Sequence, residues 1–511
     1  MKGLWLLLGL LAVAALAEVP APLPIETAKL PVPLEHLGVG GNLVTGLDGS
    51  VWLSWIERVP SGGGVLRCAR LDSARRSWGP VRMITSGPDL MINRSDFPAL
   101  AVDADGRLTA VWLTSLPASG HASGHHHERG SIAWTSRSTN GGLAWSPPVR
   151  LTQESSAVEF VSLLADRDGR VLAAWLDGRA KHGDEGVQQL YARIVGEPGP
   201  DTRVDASVCD CCQTTLTGFP DGSALLAYRG RTGDEIRDIH VARYHNGTWS
   251  AGRPVNDDRW KIAGCPVNGP QLASVGGRAG LAWFTAAGNE PRVLASVSPD
   301  AGARWVQPIR IDQGHGAGKV DTVMLADGTL YVTWLELGGG SDRSGLWLRR
   351  VAPSGAASQV VRLASLDPRM DPGTPRLTLV KDYDTTPAQL VVAYYDGIFD
   401  AGPGPELRTQ LVTLPALSAL AGRAPCVPCD EQDAAAARGY PVKGRIVSVD
   451  AAGATLVVAN EEIPGVMRAT TMEFHAAPEV LAAARPGRAL LARIERRGKP
   501  WWIFGVKWLG E

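Results

Sequence analysis

The cysteines are the residues of this chain whose type and spacing point most directly to chemistry. The chain has 511 residues and seven cysteines, of which Cys209, Cys211 and Cys212 lie within four consecutive positions. Cys265 stands at the corresponding place of the next sequence repeat, so we expect all four thiols to converge. Thiolates select Cu(I) or Zn, whereas cysteines of an exported chain form disulfides. Both interpretations stay open: disulfides that tie neighbouring units, or a thiolate metal site.

Two further groups of possible metal ligands lie elsewhere in the chain. Cys426 and Cys429 form a C-x-x-C motif whose spacing fits a redox pair, a soft-metal clip or a local disulfide. No histidine follows Cys429, which excludes attachment of a c-type haem. A histidine-rich segment can chelate Cu(II), Zn or Ni, or can be a solvated polar loop. Its histidines are His121, His125, His126 and His127.

A repeated unit must position these residues. Six times a glycine is followed, six residues later, by a large aromatic residue that ends an apolar run. These aromatic residues are Trp55, Trp112, Trp175, Tyr228, Trp283 and Trp334, and a weaker seventh copy ends at Tyr394. The unit reads as strand, Gly-containing turn and strand, because glycine readily adopts the positive φ that the turn needs. Four-stranded units repeated at this length are typical of a β-propeller.

We therefore predict an all-β protein, in which a propeller precedes a small barrel. Seven blades are favoured and six are the alternative, since the seventh unit lacks an obvious fourth strand. Residues 26–37 can supply that strand and close the ring. The predicted propeller spans residues 18–417, a linker with the C-x-x-C motif spans 418–439, and an OB-like five-stranded barrel spans 440–511.

Two turns of the repeat carry a recognisable motif. Ser138 to Trp145 and Ser298 to Trp305 match the Asp-box pattern S-x-D-x-G-x-x-W, the first with Asn in place of Asp. The chain from about residue 38 to 415 therefore resembles the sialidase-like (BNR-repeat) propellers. The resemblance implies glycoside hydrolysis by an arginine triad that grips a carboxylate, a Tyr–Glu nucleophile pair and an acid. The candidate residues are Asp177, Arg179, Arg229, Glu235 and Arg237.

The sialidase interpretation lacks one of its expected signals. The Arg-Ile-Pro motif that begins sialidase domains is absent from the sequence, and Asp boxes lie at peripheral turns, away from an active site. The fold alone does not establish the activity.

The C-terminal segment carries a second resemblance. YPVKGRIVSVD from Tyr440, EEIPG from Glu461 and MRATTMEF from Met467 look like the periplasmic copper-binding CusF-like domain. The resemblance implies a Cu(I) site of thioether and imidazole ligands, and Met467 and Met472 match the pattern. Asn460 stands where the family has histidine, and Thr470 replaces a methionine. The alternative is a barrel whose Met472 belongs to the core.

An acidic residue stands two positions after the repeat aromatic in four of the units. These residues are Glu57, Asp177, Glu336 and Asp396. Equivalent positions of successive blades form a ring, which predicts either an acidic channel mouth that holds a cation or polar ligand, or ordinary polar loop starts.

The ends and the charge of the chain indicate its compartment. Residues 1–17 have the positive start, apolar stretch and small-residue cleavage site of a secretory signal. No later segment is apolar and long enough to span a membrane. The net charge of −1 gives no general attraction to nucleic acid or acidic membranes. We expect a soluble periplasmic or secreted protein.

Two hypotheses about function follow. The first is an exported, non-catalytic propeller scaffold with a copper-binding-like C-terminal domain, which acts in periplasmic copper handling or in protein interaction. Its expected partners are metal ions or a periplasmic protein, with Cu(I) the most coherent metal and zinc the alternative. The second is an exo-α-sialidase-like hydrolase with an accessory barrel. No nucleotide or organic cofactor is indicated.

Overall fold

The protein is built almost entirely from β-strands. The computed structural model describes residues 25–60, 62–116, 130–181, 186–337, 344–367, 373–381, 388–396, 406–415, 440–450, 453–461, 470–496 and 501–509. These residues form seven antiparallel sheets and one closed barrel. The predicted fold class, a seven-bladed propeller followed by a five-stranded barrel, is confirmed. The signal segment 1–17 and the linker 418–439 lie outside the described residues.

The first four blades follow one another along the chain, each with its inner strand first. Strand β1 (Glu26–Leu30) precedes them and joins the last blade. Blade 1 contains β2 (Gly38–Thr45), β3 (Val51–Arg58), β4 (Gly64–Asp72), β5 (Ser77–Trp78) and β6 (Arg82–Gly87). Blade 2 contains β7 (Ala99–Val102), β8 (Leu108–Ser115), β9 (Ser131–Ser138) and β10 (Val149–Arg150). Blade 3 contains β11 (Val158–Ala165), β12 (Val171–Asp177), β13 (Gln188–Ile194) and β14 (Thr202–Val208). Blade 4 contains β15 (Thr215–Gly218), β16 (Ala224–Arg229), β17 (Ile239–His245), β18 (Thr248–Trp249) and β19 (Arg253–Pro254).

The remaining three blades have the same arrangement. Blade 5 contains β20 (Gln271–Val275), β21 (Arg278–Thr285), β22 (Arg292–Ser298) and β23 (Ile309–Arg310), with a short 3-10 turn at Ala287–Asn289. Blade 6 contains β24 (Gly316–Met324), β25 (Leu330–Glu336), β26 (Gly345–Val351) and β27 (Ala357–Ser365). Blade 7 contains β28 (Arg376–Lys381), β29 (Gln389–Asp396) and β30 (Glu406–Thr413), with β1 as its outer strand.

The ring of blades is closed by the N-terminal strand. Strand β1 pairs antiparallel with β30, from Glu26 opposite Thr413 to Leu30 opposite Thr409. The inner strands β2, β7, β11, β15, β20, β24 and β28 each contact the next, and β28 contacts β2. The predicted use of the segment after residue 25 as the missing strand is therefore confirmed, and the six-bladed alternative is wrong.

The repeat aromatics occupy equivalent, buried places on the second strand of each blade. Trp55, Trp175, Trp283 and Trp334 are completely buried. The turn before Trp55 needs glycine, since Gly49 has φ +78°. In blade 7 the buried aromatic is Tyr395 instead of the expected Tyr394, and the Tyr395 hydroxyl accepts a hydrogen bond from the Gly41 N–H at 2.7 Å.

The acidic residues two positions after the aromatics do not form a ligand-binding ring. The indole N–H groups donate to them within each blade: Trp55 to Glu57 at 2.9 Å, Trp175 to Asp177 at 2.8 Å and Trp334 to Glu336 at 3.0 Å. These three carboxyl groups are fully buried, and Asp396 pairs with Arg408. The strand pleat explains this outcome, because residues two apart share a face and a buried indole N–H needs an acceptor.

The two Asp boxes form turns at the outer edges of blades 2 and 5. Asn140 Oδ1 accepts from the Ala144 N–H at 2.9 Å, and Asp300 Oδ1 accepts from the Arg304 N–H at 2.7 Å. Both turns join the third strand of a blade to its fourth, so they stabilise the blade edge.

The C-terminal segment forms a separate closed barrel. Its elements are β31 (Tyr440–Asp450), β32 (Thr455–Asn460), β33 (Thr470–Ala476), α1 (Pro478–Ala483), β34 (Ala489–Arg496) and β35 (Trp501–Leu509). The strands close in the order β31-β32-β33-β35-β34, with β33 and β35 parallel. The five-stranded barrel that the sequence predicted for this segment is therefore confirmed. None of the helices in the described parts of the chain has the length and apolar character needed to cross a membrane.

Glu336 generates a prediction about pH and stability. Burial raises the pKa of its carboxyl group to about 7, against an ordinary value of 4.5. The folded state therefore binds more protons than the unfolded state between these two values, and stability is lost as the pH rises through that window. A raised pKa of this size corresponds to about 3 kcal/mol, at 1.36 kcal/mol per unit.

We expect Glu336→Gln to remove this part of the pH dependence. The amide keeps the oxygen that accepts from Trp334 and cannot ionise. Urea unfolding of both proteins at pH 5 and pH 8 measures the effect: the wild type loses more stability between the two pH values than the variant does. Equal losses in the two proteins would show that Glu336 does not titrate in this range.

Candidate metal centre

Two neighbouring loops bring cysteines together at one end of the propeller. Each loop joins the outer strand of one blade to the inner strand of the next. Cys209, Cys211 and Cys212 lie between β14 and β15, and Cys265 lies between β19 and β20. The Cys209 N–H donates to the Arg229 carbonyl at 2.9 Å, which ties the first loop to the end of β16.

Three of the sulfurs form a compact buried cluster. The Sγ atoms of Cys209, Cys211 and Cys212 all lie within 4.8 Å of one another. Cys209 Sγ is 3.5 Å from Cys212 Sγ and 4.0 Å from Cys211 Sγ. Three thiolates that each lie about 2.3 Å from one shared ion are about 4 Å apart. The three sulfurs therefore have the spacing that one soft metal ion requires.

Cys265 joins this cluster from the adjacent blade. It packs against the core that contains the other three cysteines, but it is not one of the sulfurs that lie within 4.8 Å of one another. Unlike the other three, it is only half-buried. All five cysteines among the described residues are free thiols.

Two arginines favour ionisation of one thiol. Burial opposes the charged form of Cys209, but hydrogen bonds from Cys211 and Cys212 and the positive charges of Arg237 and Arg229 outweigh it and hold the pKa of Cys209 well below its usual value. The Arg237 Nη1 group donates to Cys209 Sγ at 3.3 Å. The thiolate, not the thiol, is the form of cysteine that acts as a metal ligand or nucleophile, so Cys209 is the sulfur of the cluster that would bind a soft metal ion without first losing a proton.

The other two buried thiols keep their protons. Burial is the main cause that raises the pKa of Cys212 to about 12, and the neighbouring Cys209 adds to it. Burial, followed by hydrogen bonds to the neighbouring cysteines, also raises the pKa of Cys211 well above its usual value. A metal ion held by these sulfurs would have to displace their protons, so its binding would strengthen as the pH rises.

A chain of ion pairs covers the cluster. Glu235 accepts from Arg237 at 2.7 Å and from Arg231 at 2.6 Å. Asp210, between the clustered cysteines in sequence, pairs with Arg231 at 3.2 Å and with Lys181 at 3.5 Å. Arg237 is therefore fixed from two sides, by Glu235 and by the Cys209 sulfur.

The loop that carries Cys265 also closes the base of the cluster. The Asn268 N–H donates to Cys212 Sγ at 3.4 Å, and the Asn268 side chain bonds to backbone groups of blade 6. Arg229 donates to the Asn268 carbonyl at 2.8 Å and to the Phe284 carbonyl at 2.8 Å. Its guanidinium also lies 4.8 Å from the centre of the Trp260 ring.

The candidate catalytic residues of the sialidase interpretation are engaged in contacts within the protein. Arg179 pairs with Asp177 and with Asp201, each at 2.7 Å, and lies over the Tyr191 ring. Asp177 is completely buried and accepts from Trp175. These contacts hold β12 to its neighbours in blade 3.

The remaining sialidase candidates lie in the thiol centre. The Arg229 guanidinium donates hydrogen bonds to backbone carbonyls, and Arg237 binds Glu235 and Cys209. Burial opposes the charge of Glu235, but hydrogen bonds from Arg231 and Arg237 lower its pKa. Arg229, Arg237 and Glu235 thus lie around the thiols, whereas Arg179 is bound within blade 3. The three arginines therefore do not converge on one site.

The barrel does not present a soft ligand set among its described residues. Asn460 and Thr470 lie directly opposite each other on β32 and β33. Asn460 is buried, and its Oδ1 atom has no hydrogen-bond partner. Met472 packs against the hydrophobic core. One thioether beside an amide and a hydroxyl does not fit Cu(I), which prefers soft ligands.

Several predicted metal ligands lie outside the described residues. They are His121, His125, His126, His127, Cys426, Cys429 and Met467. Their roles remain predictions.

Sequence reasoning missed four residues of the centre. Asp210, Arg231, Lys181 and Asn268 contact the cysteines or the residues that hold them. Asp210 and Asn268 are only one and three positions from cysteines, so proximity along the chain was an available signal. Lys181 lies far from the cysteines in sequence, in the connection between β12 and β13, and only the tertiary structure brings it here.

The comparisons with known proteins return only distant structural similarities. The sequence matches no model of a protein family and no curated protein. Among solved structures it is similar to a protein of unknown function from Dyadobacter fermentans, with 11% identity, a TM-score of 0.45, and coverage of 76% of this chain and 99% of that chain. A NanB sialidase mutant from Streptococcus pneumoniae has 10% identity and a TM-score of 0.40, over 74% of this chain and 68% of that one. The intramolecular trans-sialidase from Ruminococcus gnavus has 9% identity and a TM-score of 0.39, over 74% and 94%.

These similarities concern the propeller fold alone, because identity at this level carries no information about the site. Sialidases and related propellers are among the similar structures. None of the comparisons supports the CusF-like resemblance of the barrel.

The role of Arg237 can be tested by titration of the thiols. We expect Arg237→Gln to raise the pKa of Cys209, because the variant loses a positive charge and a charged donor beside the sulfur. Glu235 keeps Arg231 as a partner. The ultraviolet absorbance of the thiolate, followed against pH, should then appear at higher pH than in the wild type.

The matched control is Arg243→Gln, since Arg243 lies in the same blade and binds Asp221 and Ser223 instead of the thiols. Its thiolate titration should equal that of the wild type. An unchanged titration in Arg237→Gln would contradict the assignment of Arg237 to Cys209.

The barrel generates a second prediction. We expect Asn460→His with Thr470→Met to tighten Cu(I) binding by about tenfold, or 1.4 kcal/mol, because the two facing positions then carry soft ligands beside Met472. The full chain with Cys209, Cys211 and Cys212 changed to Ser is the background, so that the thiol centre is silent. A chelator competition titration compares the background with and without the two changes. No gain would show that the copper motif has been misaligned.

Proposed function

We propose that this protein is a copper-handling β-propeller in which Cys209, Cys211 and Cys212 hold one Cu(I) ion. The observation that carries the proposal is the compact set of three buried sulfurs within 4.8 Å of one another. We assign the ion as Cu(I) because thiolates are soft ligands, which Cu(I) prefers, and because the site is shielded from water. Residues 1–17 would export the protein to the periplasm.

The charges of the cluster support a monovalent ion. Three thiolates carry three negative charges, and two of these are offset by Arg229 and Arg237, whose charges both act on Cys209. Cu(I) offsets the third, so the buried site becomes neutral. Neutrality matters here because an unbalanced buried charge costs several kcal/mol.

Zinc and a disulfide are the competing occupants of these thiols. Structural zinc sites almost always have four ligands, so zinc would require Cys265 as a full fourth ligand. In an oxidising compartment two of the cysteines can instead form a disulfide. Both alternatives give measurably different outcomes in the experiment below.

The sialidase-like hydrolase is the alternative function, and the similar folds keep it open. It requires free guanidinium groups around an open cleft to bind the substrate carboxylate. Arg179, Arg229 and Arg237 are already bound by carboxylates, carbonyls or a sulfur. The geometry therefore favours the metal centre over the hydrolase.

The test is a Cu(I) competition titration of the full-length protein under reducing conditions, with a chromophoric chelator as the competitor. We expect the variant with Cys209, Cys211 and Cys212 changed to Ser to lose about one tightly bound equivalent of Cu(I) per chain. The matched control changes Cys426 and Cys429 to Ser and should keep that equivalent. Circular dichroism establishes that each variant is folded, and Cys212→Ala provides a milder second variant.

Three results would contradict the proposal. The first is a triple variant that binds as much Cu(I) as the wild type. The second is a wild type that binds Zn(II) through four cysteines in preference to Cu(I). The third is a protein purified from the periplasm with two of these cysteines joined in a disulfide, which no longer binds copper.

A further inference from the structure

A short arch carries Cys265 from the thiol cluster to the surface. The loop before it is fixed where the Ile262 N–H donates to the Glu235 carbonyl at 2.9 Å. The loop after it is fixed where the Asn268 N–H meets Cys212 Sγ at 3.4 Å. Between these points Ala263 is exposed, and Gly264 and Cys265 are half-buried. Cys265 is thus anchored on both sides and still reaches solvent.

The base of the arch is held in a conformation that side chains rarely adopt. Val267 has φ +48°, in the left-handed region, which is unfavourable for a β-branched residue. The Lys319 Nζ group donates to the Val267 carbonyl at 2.9 Å, and Asn268 Oδ1 accepts from the Lys319 N–H at 2.6 Å. These bonds from blade 6 set the direction in which the arch leaves the core.

The other three thiols are sealed. Cys209 and Cys211 are 0% exposed and Cys212 is 1% exposed. A metal passes from one ligand to another when the incoming sulfur contacts the ion before the old ligand leaves. A donor complex in solution cannot bring its ion into contact with a sulfur that has no exposed surface. Cys265 is only half-buried and packs against the core that contains the three sealed thiols, so it connects the two environments.

We infer that Cys265 is the entry ligand of the thiol centre, through which Cu(I) passes from a soft donor complex to the three buried sulfurs. The inference rests on the proposed function. Cys265 loses its proton to solvent and its sulfur bonds to the Cu(I) of the donor, and a donor ligand then leaves with its electron pair. Cys211 next bonds to the ion and releases its proton, and the Cys265 sulfur leaves with its electron pair and takes up a proton from solvent. The Cys209 thiolate and Cys212, which also releases its proton, complete the three bonds to the ion. Copper stays monovalent, so no oxidant or reductant is needed.

An entry ligand affects the rate at which Cu(I) is loaded but not the equilibrium affinity for Cu(I). An entry ligand speeds loading and unloading alike, because it stabilises the route between solvent and site and not the loaded state. We therefore expect Cys265→Ser to load Cu(I) at least about tenfold more slowly. A tenfold slower rate corresponds to an activation barrier that is about 1.36 kcal/mol higher. Its equilibrium affinity should change by less than about threefold.

Stopped-flow mixing of the full-length protein with the Cu(I)–bicinchoninate complex measures the loading rate, and equilibrium competition with bicinchoninate measures the affinity. Cys265→Met is the matched control, because a thioether can still bind Cu(I) and should restore much of the rate. Cys212→Ala should instead lower the affinity, since Cys212 is a ligand of the loaded state.

Each outcome decides a different point. Equal loading rates in the wild type and Cys265→Ser overturn the entry role. A loss of affinity in Cys265→Ser as large as in Cys212→Ala makes Cys265 a permanent ligand and also overturns it. A wild type that binds no Cu(I) through the buried sulfurs refutes the proposed function itself.

Discussion

In five of the seven blades a buried aromatic donor has a carboxylate acceptor, and the packing of these blades depends on where that acceptor comes from. An indole N–H or phenol O–H that is removed from water without a partner costs free energy comparable to a lost hydrogen bond. In blades 1, 3 and 6 the acceptor is a carboxylate two residues further along the same strand. In blades 4 and 5 it comes from outside the strand: Tyr228 donates to Asp205 at 2.6 Å, and Trp283 donates to Asp258 at 2.7 Å.

Blades 4 and 5, which take this acceptor from outside the strand, are the blades that the two cysteine-bearing loops lead into. Asp205 belongs to β14, which leads directly to Cys209, and Asp258 lies in the loop that leads to Cys265. The same type of bond that stabilises the blades therefore fixes the start of both cysteine-bearing loops. A loop held at its first residues has fewer conformations to lose when its later residues form a site. The position of the thiol centre follows from the packing of blades 4 and 5.

Burial and charge act in opposite directions within the centre. Desolvation alone would keep all three thiols protonated, and it does so for Cys211 and Cys212. Arg237 lies 3.3 Å from Cys209 and reverses the balance at that sulfur. Such an arginine is stable in the interior only when its other donors are bonded, and the two bonds to Glu235 meet this requirement. The pKa of one thiol is thereby lowered, while the pKa values of the other two stay raised.

The sequence by itself determined the fold, because the propeller is a repetition of local rules. The glycine turns, the aromatic six residues later and the strand pleat recur in each unit, and each can be read without knowledge of its neighbours. The same local pattern indicated which cysteines would meet, since equivalent loops of adjacent blades lie side by side. It could not distinguish an acidic ring from internal pairs, because whether Glu57 or Glu336 faces the channel or an indole depends on side-chain packing. The sequence also could not assign the contacts of Arg229 and Arg237. Arg229 binds the Asn268 and Phe284 carbonyls and Arg237 binds Cys209, and these three partners lie in separate segments of the chain. Only the tertiary structure decided these contacts, because burial, charge and distance between segments remote in sequence are set when the blades pack together.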